Sequence, residues 1–229
     1  MFGQVGPTPY DLAFSVFGIP VRVIPTFWLV AVLMGRSTWQ AERYDLMLVW
    51  VACLFVSILI HELGHAVVAN RFGWPPEVYL YHFGGLAVFS PYHGYTTGRS
   101  IAVSFAGPAA GFILFGLVWG VRRAFYPGWL DWDDPAQFAI IQLQWINLGW
   151  GLVNLLPVLP LDGGQISRAI CERVRRYGGL ELSLKIGIAV SGAAAAYFVM
   201  NREAYGLFPA LLFGMLCFQN VQMLQAPRM

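Results

Sequence analysis

Residues 46–69 read Leu46-Met-Leu-Val-Trp-Val-Ala-Cys-Leu-Phe-Val-Ser-Ile-Leu-Ile60-His61-Glu62-Leu63-Gly64-His65-Ala66-Val-Val-Ala69. A run this long and this apolar predicts a helix able to cross the hydrocarbon core of a bilayer, which takes roughly 20 residues. Inside it stand two histidines four positions apart. On a helix such positions share a face, so both imidazoles can address one metal ion. Glu62 stands beside them, suited to act as a base on a water at that metal. Ionisable groups at bilayer depth cost a few kcal/mol each, and metal ligation would offset that cost for the histidines.

The rest of the chain is of the same class. It has 229 residues, of which 58% are apolar and 11% charged, with mean hydropathy +0.60. Soluble domains carry about 25% charged residues, so the composition is that of a membrane protein. A net charge of +2 is too small to argue for nucleic acid. Cys53, Cys171 and Cys217 are scattered without a CxxC pair and read as three unpaired thiols. The N-terminus, MFGQVGPTPYDLAFSVFGIP, lacks a basic segment followed by an apolar core, so no cleavable signal is expected and the first membrane segment does the targeting.

Apolar runs at 46–70, 100–121, 136–158, 183–200 and 205–224 predict spans, and 23–35 predicts another if the segment after Gly18 lengthens it. Residues 77–90, EVYLYHFGGLAVFS, are short, rich in β-branched and aromatic residues and broken by Gly84-Gly85, which predicts a β-hairpin. Non-helical backbone at membrane depth must be buried in protein or line a wet cavity, so the hairpin is expected to be re-entrant and near the metal. The expected fold is therefore an all-α membrane protein with about six transmembrane helices and a short re-entrant β-hairpin, one domain across 1–229.

With six spans and a cytoplasmic N-terminus, Arg22, Arg71, Arg99, Arg168, Arg173, Arg175, Arg176, Lys185 and Arg228 fall inside, and Arg36, Arg43, Arg122, Arg123 and Arg202 outside. That bias puts both termini in the cytoplasm and the His61 helix running inward, with its metal nearer the cytoplasmic face. Small-residue runs, Gly107-Pro-Ala-Ala-Gly111 and Gly187 to Ala196, predict close helix packing. Asn147 reads equally as an interhelical hydrogen bond or a site residue.

Catalytic zinc keeps about three protein ligands and an open position, so a third ligand is needed. His82 and His93 lie in or near the hairpin and read first as ordinary loop residues. Asp162 is the better candidate. It ends Asn154-Leu-Leu-Pro157-Val-Leu-Pro160-Leu161-Asp162-Gly163-Gly164, where two prolines break a helix and two glycines allow a tight turn. It could also cap a helix over 164–176.

HELGH on a membrane helix, with NLLPVLPLDGG on another some 90 residues later, resembles the site-2 protease family of intramembrane zinc metalloproteases (peptidase family M50). The likeness runs from about Gly18 to Gly164 and takes in HELGHAVVANRFG, the HFGG hairpin and Ser104-Phe-Ala-Gly107-Pro108. It implies one Zn2+ per chain held by His61, His65 and Asp162, with Glu62 as catalytic base. It also implies that Asn154 binds substrate backbone. The 77–90 hairpin, with Gly84 and Gly85 as candidate substrate-binding residues, offers a strand edge onto which an extended substrate could add. The implied partners are a transmembrane-helix protein substrate and the lipid bilayer. No PDZ or CBS module is expected. The rival reading is a non-catalytic metal-binding membrane protein acting as regulator or chaperone. An ion relay through His61, Glu62 and Asp162 is less favoured, because no internal repeat is visible.

Overall fold

The computed structural model describes residues 9–36, 38, 41–82, 84–91 and 94–226, so His93 lies outside the described residues. The chain forms two compact units, residues 1–94 with 106–151 and residues 95–105 with 152–229.

The first unit opens on strands β1 (Leu12–Val16) and β2 (Ile19–Val23). Phe17 and Gly18, both at positive φ, form the two-residue turn between them, with Val16 facing Ile19. In β2, Ile19, Val21 and Val23 are buried and alternate with Pro20 and Arg22, the period of a strand. This corrects the sequence expectation. The segment after Gly18 does not lengthen the first helix, because it is committed to a sheet. Helix α1 (Pro25–Met34) is therefore ten residues long, about 15 Å, or half a bilayer core.

Helix α2 (Tyr44–Arg71) carries the HELGH segment, and Gly73 in the left-handed region closes its end. Strands β3 (Pro76–Tyr81) and β4 (Gly84–Phe89) follow as the expected hairpin. Tyr81 faces Gly84 in the last pair, so Gly84 and Gly85 open β4 instead of breaking the hairpin. β2 pairs with β3 in parallel, giving a four-stranded sheet in the order β1-β2-β3-β4. The fold is thus mostly helical with a small sheet, twice the strands that the sequence reading expected. The inner face of the sheet (Ile19, Val21, Val23, Val78, Leu80) packs with Phe27 and Ala31 of α1 and with Leu54, Ile58 and Ala66 of α2. The Arg22 guanidinium, paired with Asp11, lies over the Tyr79 ring.

Helix α3 (Thr97–Phe125) contains Pro108, and its residues 106–125 belong to the first unit. Helix α4 (Pro135–Asn154) ends three residues before Pro157, short of the expected 158, because proline removes a helical donor and disfavours the preceding turn.

In the second unit, α5 (Asp162–Val174), α6 (Gly179–Met200), the short α7 (Arg202–Tyr205) and α8 (Phe208–Gln225) follow one another. Val158, Phe213 and Leu216 form its core, with the Phe198 and Phe213 rings stacked at 5.7 Å. Among the described residues, α2, α3 and α6 are long and apolar enough to cross a membrane.

Candidate functional site

In the first unit, α2 turns His61, Glu62 and His65 inward, and all three are buried. The His61 and His65 rings lie edge to face with their Nε2 atoms 3.2 Å apart. Two nitrogens bound at about 2.0–2.1 Å to a tetrahedral zinc stand about 3.3 Å apart. The spacing of the pair therefore matches that of two imidazoles on one zinc.

Two glycines make this arrangement possible. A Cβ on Gly64, between the histidines, would collide with the Ala106 carbonyl of α3. A glycine in mid-helix costs about 1 kcal/mol against alanine, and here the cost admits a neighbouring backbone. A Cβ on Gly107 would strike His65 Nε2 directly. The small-residue run 107–111, expected to pack helices closely, does so against the imidazole that carries a metal-type donor.

The hairpin reaches Glu62. A Cβ on Gly85 would overlap the Glu62 Cγ, Cδ and Oε1 atoms, so the β4 backbone lies directly on the carboxylate. Gly84 adopts φ +115, which strongly favours glycine, and faces Trp150 of α4. At the end of β3, burial and then the Glu62 charge push the Tyr81 phenol above its ordinary pKa. Sequence reasoning did not single out Tyr81; only the hairpin register brings it beside Gly84.

Asn147 is explained by packing. Its amide donates to Ser57 Oγ at 2.9 Å and to Leu143 O at 2.8 Å, tying α4 to α2 one turn before His61. His82 Nδ1 lies 3.3 Å from Thr26 Oγ1, the loop role expected of it.

In the second unit, Asp162 is the first residue of α5, after Leu161 as N-cap. The expectation that Asp162 itself caps the helix is corrected by one position, and no side-chain cap bond forms there. The segment before it folds back tightly. Val158 N–H donates to Leu156 O at 2.7 Å and Leu161 N–H to Val158 O at 2.9 Å. Cβ atoms on Gly163 or Gly164 would overlap the backbone of residues 155–159, so both glycines let α5 start against its own approach segment. Asn154 closes α4, half-buried, and among the described residues its side-chain amide takes no hydrogen bond.

A metal-type pair beside a buried glutamate, on a helix of membrane length, narrows the class sharply, and the family model for "Peptidase family M50" matches residues 49–128 and 131–196. The chain belongs to peptidase family M50. It is similar to sll0528 of Synechocystis sp., whose name classes it among zinc metalloproteases (32% identity over 224 residues, 90% of this chain and 57% of that one). It is also similar to zinc metalloprotease MJ0392 of Methanocaldococcus jannaschii (33% over 186 residues, 80% and 50%). This M50 chain thus spans about half the length of the curated relatives it matches. Among solved structures it resembles the site-2 protease from M. jannaschii, with TM-score 0.65 and 25% identity over 96% of this chain and 98% of that one. Family membership and three long apolar helices make it an integral membrane protein.

Proposed function

We propose that this M50 chain is an intramembrane zinc metalloprotease that hydrolyses peptide bonds within or near transmembrane helices of other membrane proteins. The observation that carries this reading is the buried His61–His65 pair at zinc spacing, with Glu62 on the same turn and the β4 backbone against its carboxylate. His61, His65 and Asp162 would hold the ion, as two imidazoles and a carboxylate, a donor set that leaves a fourth position open. The names of the relatives support zinc as the metal.

A zinc ion so held supplies Lewis acidity, bringing the pKa of water towards neutrality and polarising a carbonyl. Glu62 accepts the proton of the attacking water and returns it to the leaving amide nitrogen. Its burial keeps bulk water from competing for that proton. Asn154, with an uncommitted amide among the described residues, would donate to substrate backbone.

An intact transmembrane helix shields its own peptide bonds, so the substrate has to unwind. β4 is an edge strand of the described sheet and offers backbone groups to an extended segment. Taking Tyr81 and Gly84 as the hydrogen-bonded closing pair, pair types alternate along the two strands. The N–H groups of Gly85 and Ala87 then point away from β3. Ala87→Pro should therefore leave the hairpin paired and the zinc bound, while cleavage of a reconstituted transmembrane-helix substrate in liposomes falls at least about tenfold. Wild-type turnover by that variant would remove strand addition. Failure of the zinc-loaded wild type to cut any helix that it binds would remove the protease reading.

α2, α3, α4, α6 and α8 are the crossings in this reading, and α1 completes a sixth only with chain beyond Met34. With that sixth crossing, the Lys/Arg bias would set both termini and the His61 end of α2 towards the cytoplasm.

A further inference from the structure

Asn220 lies on α8 in the second unit, inside an apolar helix, and is fully buried. Both its N–H protons are committed. One goes to Leu216 O of its own helix at 2.8 Å, and the other to Leu159 O at 2.7 Å, 61 residues away in sequence. These two carbonyls fix which way the amide faces, since a flipped amide would set its oxygen against both. The oxygen, Oδ1, is buried with no hydrogen-bond partner among the described residues. It is aimed at Gly187 of α6, where a Cβ would come within 2.7 Å of it and 3.4 Å of Pro157 O. A half-satisfied amide is costly in an apolar core, so a hydrophobic residue would serve simple packing better.

The Leu159 carbonyl explains the expense. The segment 155–161 contains Pro157 and Pro160, which donate no backbone bonds, and its other described backbone bonds are short-range ones within the segment, to the end of α4 and from Gln165 of α5 to Leu161 O. Asn220 supplies the long-range anchor, three residues before Asp162. Gly187 admits the anchor by leaving room for Oδ1 and for the Pro157 carbonyl.

We propose that Asn220, seated against Gly187, is a positioning residue that holds the 155–161 segment and thereby aims the Asp162 carboxylate at the metal. The inference rests on the reading of Asp162 as a zinc ligand. Groups that orient ligands commonly change metal affinity about 10- to 100-fold when removed.

The test uses the full chain in detergent and compares wild type, Asn220→Leu, Gly187→Ala, Ser191→Ala and Asp162→Ala. Zinc retention is followed against a graded chelator, the visible spectrum after cobalt substitution reports ligand geometry, and thermal unfolding of the metal-free chain reports stability. Ser191 is equally buried but returns its hydroxyl to Gly187 O of its own helix, so it controls for packing alone. Asn220→Leu and Gly187→Ala are expected to lose zinc at about 10- to 100-fold less chelator, with cobalt spectra moved towards that of Asp162→Ala, while Ser191→Ala keeps the wild-type values. If Asn220→Leu does not fold, Gly187→Ala, a single added methyl, decides alone. Wild-type zinc retention and cobalt spectra in both variants, with zinc lost from Asp162→Ala, overturn the role of Asn220. Zinc retained by Asp162→Ala overturns instead the ligand reading on which it rests.

Discussion

Glu62→Gln should retain its zinc and lose peptide hydrolysis by about 10³- to 10⁴-fold, the upper range of what a positioned general base contributes. Glutamine matches the shape of glutamate and keeps the contact with Gly85, but it cannot take a proton from water. Glu62 is 6% exposed. Replacing its carboxylate with a neutral amide relieves desolvation, so thermal stability should hold or rise. Loss of activity in a chain that is folded, metal-loaded and no less stable would mark the carboxylate as chemical. A regulator that only binds metal has no use for this acid, so on that reading the variant would act as wild type. Zinc content, thermal unfolding and cleavage of a liposome-embedded helix, measured on one preparation, separate the two.

Gly107→Ala should empty the site. An added Cβ there meets His65 Nε2, Cε1 and Cδ2 together, so it meets the ring and not a flexible chain end. The ring is buried, and Gly64 already brings α2 and α3 backbones into contact one residue away, so neither ring nor helix has room to yield. We expect zinc affinity to fall at least about 100-fold, roughly 2.7 kcal/mol, with the helices still formed. Chelator competition on the purified variant measures it. Wild-type affinity would mean that His65 does not offer Nε2 to the metal.

Much of this was legible in the sequence. HELGH lies in an apolar run with helical spacing, and spacing alone sets His61 and His65 on one face. The 77–90 hairpin was legible from its β-branched and aromatic residues between turn signals. The β1–β2 hairpin was missed although LAFSV-FG-IPVRV alternates around a two-residue turn. Its proximity to an apolar stretch made Ile19–Val23 read as the start of a helix, because a short apolar run does not by itself distinguish the two periods. The contacts of Gly85 with Glu62 and Gly107 with His65 join positions more than twenty residues apart, and only the fold brings them together. Asn220 did carry a signal. A polar amide inside an apolar run of membrane length is costly and asks for a reason.

In the proposed site a zinc ion is held by His61, His65 and Asp162 with one position left open. The most direct measurement is the zinc content of the gently purified chain, wild type beside Asp162→Ala, by elemental analysis. About one zinc per wild-type chain is expected, with most of it lost in the variant. A wild-type chain that purifies without zinc and does not take it up, or an Asp162→Ala chain that binds zinc as well as wild type, would contradict it.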